Sequence, residues 1–172
     1  MLYVRRYKPI LWDNKCCLDA VSLSDLVTDD NDISVWEMQD DQSDFEDIVL
    51  AMAMSKDKLV DFYMLIMDDK KIKQLGLSMN PKPSSTKYVL QQGKHNNIYV
   101  PTFWEIGYLA EYMYDLTLDQ SKVFYVSEPD LKEYFYKAVK GGKIDKNIVL
   151  SDSQFKKYKQ PLLEMEKLYG SI

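Results

Sequence analysis

Residues 25–47 hold ten carboxylates and no lysine, arginine or histidine, and any fold of this chain must dispose of that charge. The acids are Asp25, Asp29, Asp30, Asp32, Glu37, Asp40, Asp41, Asp44, Glu46 and Asp47. Such a block repels itself, so it has to be spread, paired or used. Cations that could pair with it lie elsewhere. Residues 1–12 carry +3, residues 13–69 carry −13 and residues 70–172 carry +5, which gives the net charge of −5. Either the two ends neutralise each other in the fold, or an acidic face stays exposed and selects a basic partner.

Part of the block has a local explanation. Ser43 and Glu46 have the spacing of a capping box, and Phe45, Ile48, Val49, Met52 and Ala53 recur at helical period. The spacing predicts an amphipathic helix over 43–55, with Asp44, Glu46 and Asp47 in the first turn, where the helix dipole favours negative charge.

The rest of the chain reads as strands, then helices. Strands are predicted over 2–7, 33–38 and 59–67, the last a nearly continuous apolar run suited to a central position. Residues 17–26 fit either a helix or a strand. One or two helical turns over 69–75 stop at Gly76. Residues 80–97, with Pro81, Pro83, Gly93 and Asn96-Asn97, form the one loop-rich region, a mobile excursion or a binding loop, and hold the only histidine, His95. After Pro101 comes the strongest helix, capped by Thr102 with Glu105. Phe103, Ile106, Gly107, Ala110, Met113 and Tyr114 make one apolar face of it, and Trp104, Tyr108 and Tyr112 a second, aromatic stripe. Such a helix belongs at the centre of a domain, unless the stripe is a partner surface. Further helices start at Ser127 and at Asp152 or Ser153, and Pro161 is predicted to break or kink the last one. The fold class is α+β: one domain over 1–172, with an acidic part (13–69) and a mildly basic, more helical part (70–172). A small sheet from the N-terminal half packs on three or four helices mostly from the C-terminal half.

Several chemistries find no support. No apolar run approaches the ~20 residues of a membrane span. No apolar stretch of signal-peptide length follows the first charges, and the adjacent Cys16 and Cys17 make no disulfide framework, so a reducing, cytoplasmic setting is expected. A single histidine and six glycines without a phosphate-loop pattern argue against a triad, a histidine-rich metal site and nucleotide chemistry. Read as a calcium loop from Asp30, the acid block puts Val35 where the turn needs glycine. Scattered lysines and overall acidity argue against nucleic acid. No cofactor and no metal is expected, and no family motif is present.

What remains is a non-enzymatic binding protein. The leading reading is an inhibitor or immunity-type protein, of the kind used in bacterial or phage defence, that occludes a basic toxin or nuclease. Its contact residues would be Asp29, Asp30, Asp32, Trp36, Glu37, Asp40 and Asp41. A second reading is a subunit or scaffold that makes contact through Trp104, Tyr108 and Tyr112. A third is a carboxylate–metal enzyme, nuclease-like, around residues 25–37.

Overall fold

The structure, a computed structural model, describes residues 1–13, 17–28 and 30–172. In chain order the elements are β1 (Leu2–Tyr7), α1 (Pro9–Trp12), α2 (Ala20–Ser24), β2 (Asp32–Met38), α3 (Phe45–Ser55), β3 (Phe62–Asp68) and α4 (Asp69–Gln74). There follow β4 (Ser78–Pro81), β5 (His95–Tyr99), α5 (Phe103–Leu118), β6 (Val123–Val126), α6 (Glu128–Lys140), α7 (Lys146–Ser151) and α8 (Lys156–Tyr169). The fold is α+β, with an antiparallel six-stranded sheet whose strands lie mostly in the N-terminal half. Its order is β4-β5-β2-β1-β3-β6.

Two compact units divide the chain, each built from separated stretches. The first comprises Met1–Ser43, Phe62–Pro83 and Gly93–Tyr125, and the second Asp44–Asp61, Ser84–Gln92 and Val126–Ile172.

In the first unit the pairing register sorts the side chains. Tyr3 sits opposite Glu37 and Met67, Arg5 opposite Leu65, and Ile33 opposite Ile98. Because strand side chains alternate, Tyr3, Arg5, Tyr7, Ile33, Val35, Leu65, Met67 and Ile98 share one face. The apolar members of that face form a core with Trp12, Leu26, Ile72, Val100 and, from α5, Leu109, Ala110, Met113 and Leu116. The predicted boundaries of β1 are met, and β3 lies inside the sheet between β1 and β6. The ambiguous stretch over 17–26 contains a helix, capped by the Asp19 carboxylate accepting from Ser22 N–H.

The stretch over 80–97 is more ordered than its loop-like composition predicts. It contains β5, which pairs with both β2 and β4. Polar Asn96 and Asn97 in β5 are buried, so the strand lacks the alternation that would have revealed it.

In the second unit α6 packs against α3 and α8, with Phe135 and Tyr158 rings 5.6 Å apart. Helix α3 is not amphipathic through its middle, because every residue from Ile48 to Met54 is buried. No polar side chain occurs in those seven positions, so no face is left to water. Its expected capping box does not form. Asp44 occupies the cap, Ser43 N–H donates to Asp41, and Glu46 binds Lys137 instead. The boxes at Thr102/Glu105 and Ser127/Asp130 are both present. Helix α8 runs on through Pro161, contrary to the predicted break: the ring removes one backbone donor within a helix that Tyr158, Leu162 and Met165 hold by burial.

Candidate functional site

The acid block does not converge. Asp29, like Cys16, lies outside the described residues. Asp30 and Asp32 stand at the start of β2 and share Lys82, 3.7 Å from each. Asp32 also accepts from the Asn97 amide at 3.0 Å. Glu37 faces Lys94 at 3.3 Å. Asp40, beyond the far end of β2, pairs with the amino group of Met1, and Asp41 accepts from Ser43 N–H. That bond holds the Asp41 carboxyl below its ordinary range. Seven strand residues separate the two ends by about 20 Å, so Asp30/Asp32 and Asp40/Asp41 form two small groups rather than one row. Trp36 is buried, its ring edge-on to His95 at 5.1 Å, and offers no surface anchor. Asp25 is largely covered: it accepts from the Trp12 indole at 3.2 Å and lies 3.7 Å from the Arg5 guanidinium. In the second unit Glu46 binds Lys137, and Asp47 binds Lys143 and the Tyr88 hydroxyl. Among the described residues the block is largely neutralised by cations from outside it.

The aromatic stripe on α5 splits as well. Tyr112 is buried, and its hydroxyl accepts from Asp68 N–H at 2.8 Å. Trp104 and Tyr108 remain 77% and 47% exposed. A helix turns about 100° per residue, so a stripe at i, i+4, i+8 drifts about 40° per step and carries its third member into the core. Phe103, expected on the inward face, is 88% exposed because it opens the helix, one turn before the packed segment that begins at Ile106.

Phe103 and Trp104 form the lip of a groove of about 530 Å³, walled by Leu26, Val27, Val100, Pro101 and Ile106. Val27 is itself exposed, so the apolar surface continues past the lip. Its walls are mainly apolar, the kind of surface that takes a protein side chain rather than a reacting group. Phe103 and Val27 had no place in the predicted site. Their exposure depends on where the helix starts and how the 17–26 stretch folds, and neither is written in residue type.

A second cavity of about 410 Å³ is walled by Tyr7, Asp13, Tyr63 and Tyr114. Burial, with Asp13 and Tyr63 adding to it, pushes the Tyr7 phenol up to about 12, and burial raises the Asp13 carboxyl. These groups can donate hydrogen bonds, but no nucleophile–base pair stands among them. No cluster of three or more histidine, cysteine or acidic side chains comes together among the described residues to hold a metal. No described helix is long and apolar enough to cross a membrane. Compared with known protein families, curated proteins and solved structures, the chain finds no match in any of the three.

Proposed function

We propose that this chain is a non-enzymatic protein-binding domain that takes a basic partner, anchored at the aromatic groove beside the start of α5. The carrying observation is the exposure of two large rings, Phe103 and Trp104, on the lip of an apolar groove. With Tyr108 they leave roughly 350–500 Å² of ring surface in water, taking 150–250 Å² per aromatic side chain. A patch of that size costs free energy unless something covers it, and aromatic residues are the favoured anchors of interfaces.

Charge supports the basic partner. The first unit holds 15 carboxylates against 10 lysines and arginines, whereas the second holds 12 of each. The entire net charge therefore resides in the unit that carries the groove. Paired acids keep little short-range attraction but still contribute to this field, which steers a basic protein towards the groove. Occlusion of a toxin or nuclease by an immunity-type inhibitor needs this combination of steering charge and desolvated anchor, and needs no catalytic group. A scaffold or subunit role would use the same groove and differ in its response to salt.

The test is capture of a partner from host extract by the tagged chain and by Phe103→Ala/Trp104→Ala. Loss of capture in the variant, at an unchanged urea midpoint, supports the groove. Undiminished capture overturns it. Capture that weakens steeply with salt favours the basic partner; capture indifferent to salt favours the scaffold. Trp104 also serves as a built-in reporter, since Trp12 and Trp36 are buried.

A further inference from the structure

We infer that the outward face of α5 is a two-part docking strip for a cationic amphipathic helix of the partner: the groove takes an apolar anchor, and Glu111 and Asp115 take two basic side chains. This rests on the proposed function above and specifies the chemistry of the partner.

The 16 residues of α5 include three acids, Glu105, Glu111 and Asp115, and no lysine, arginine or histidine. Glu105 is accounted for by the capping box. Glu111 and Asp115 are both exposed, and neither makes a hydrogen bond or an ion pair among the described residues. By contrast, Asp25, Asp30, Asp32, Glu37, Asp40, Glu46 and Asp47 each have a cationic partner.

Their placement works against the helix that bears them. Residues 111 and 115 are one turn apart, where like charges repel. Asp115 also lies in the last turn, where the helix dipole disfavours an anion. Folding gains nothing visible from either carboxylate. A local rule broken without compensation is the pattern expected of a residue kept for binding.

The same two carboxylates continue the aromatic line. At about 100° per residue, positions 104, 108, 111 and 115 stay within about 60° of one another around the helix. Glu111 and Asp115 lie about 10 Å and about 16 Å beyond Trp104 along the axis, at 1.5 Å per residue. A straight strip with this spacing matches a helix laid alongside it. The complementary segment has an apolar residue for the groove and Lys or Arg seven and eleven positions away on the same face. A second copy of this chain is a poor occupant, because its first unit carries the same negative charge and its own α5 has no cation to offer.

The experiment uses three tryptophan-free helical peptides, each with a leucine anchor and with Arg, Gln or Glu at the two further positions. Each is titrated into the full chain at about 50 mM and about 300 mM salt, with Trp104 emission as the readout. The Arg peptide is expected to bind about tenfold tighter than the Gln peptide at low salt and to lose most of that advantage at high salt. E111Q/D115N should make the two peptides equal, and Phe103→Ala should weaken both. The urea midpoint of E111Q/D115N should match or exceed that of the parent chain. A lowered midpoint would show that the carboxylates serve the fold and would overturn the strip. Equal binding of Arg and Gln peptides, with both weakened by Phe103→Ala, overturns the strip while leaving the groove standing. If no peptide shifts Trp104 emission and Phe103→Ala/Trp104→Ala leaves capture from extract intact, both readings fall. A dimer that dissociates on Trp104→Ala assigns the groove to a second copy and also overturns the strip.

Discussion

Replacing Asp25 by Asn tests whether the acid block serves the fold. Arg5 sits on the core-facing side of β1, with only 12% of its side chain exposed, and Asp25 is 9% exposed. The guanidinium donates to the Asp25 carbonyl at 2.9 Å and the Ser34 carbonyl at 3.3 Å, while its Nε is buried with no acceptor. Burial pushes the Arg5 guanidinium down from its ordinary range, and the Asp25 charge opposes that push. Charges 3.7 Å apart attract by about 4 kcal/mol at an effective dielectric constant near 20. Removing one partner of a buried pair costs about 3–5 kcal/mol, because the other charge is left behind. Asparagine preserves the shape and an acceptor for the Trp12 indole, so the loss isolates the charge. With a urea m-value of about 2 kcal/mol/M, the midpoint should fall by roughly 1.5–2.5 M. Trp12 fluorescence reports the transition at the site itself. Asp40→Asn, at an exposed pair with the chain's amino group, should shift stability by under about 1 kcal/mol. Equal shifts for Asp25→Asn and Asp40→Asn would refute the reasoning. So would a double variant, Arg5→Met with Asp25→Leu, no more stable than Asp25→Asn, since an apolar pair should recover most of the loss.

Tyr88→Phe should destabilise the second unit by about 1–2 kcal/mol in urea unfolding, because its fully buried hydroxyl donates to Asp47 at 2.8 Å; a change under about 0.3 kcal/mol would show the bond to be idle. Part of the acid limb of stability should come from Asp57 and Glu166. Their carboxyls are held below the ordinary range, Asp57 mainly by Lys87 and then Lys157, Glu166 by the Ile172 N–H and then Lys146. A depressed folded pKa contributes stability above the unfolded value, so the urea midpoint should hold above about pH 5 and fall as pH drops through about 4. Lys87→Met should flatten that fall, and an unchanged slope would remove Asp57 from the account.

Local rules were legible at several elements, though not at the Ser43/Glu46 spacing or at Pro161. The alternation of residues 2–7, the Thr102/Glu105 cap, the helix start at Ser127 and the stop at Gly76 all depend on neighbours within a few positions, and the structure has each of them. The α+β class was legible too, because strand-like segments lie mostly in the N-terminal half and the longer helical periods mostly in the C-terminal half. The concentration of charge in residues 25–47 was equally plain. What that charge does was not, since Lys82, Lys94, Lys137 and Lys143 reach their acids from 50 to 96 residues away, and only folding brings them there. Strand β5 was hidden because two of its three buried positions are asparagines, and the Asp32 carboxylate that accepts from the Asn97 amide lies 65 residues away. Trp36 and Trp104 are the same residue type beside similar neighbours; one is sealed into the sheet and the other stands in water. Residue chemistry sets what a side chain can offer, but burial belongs to the packing of elements distant in the chain, so the tertiary structure alone decided which aromatic and which carboxylates this protein presents.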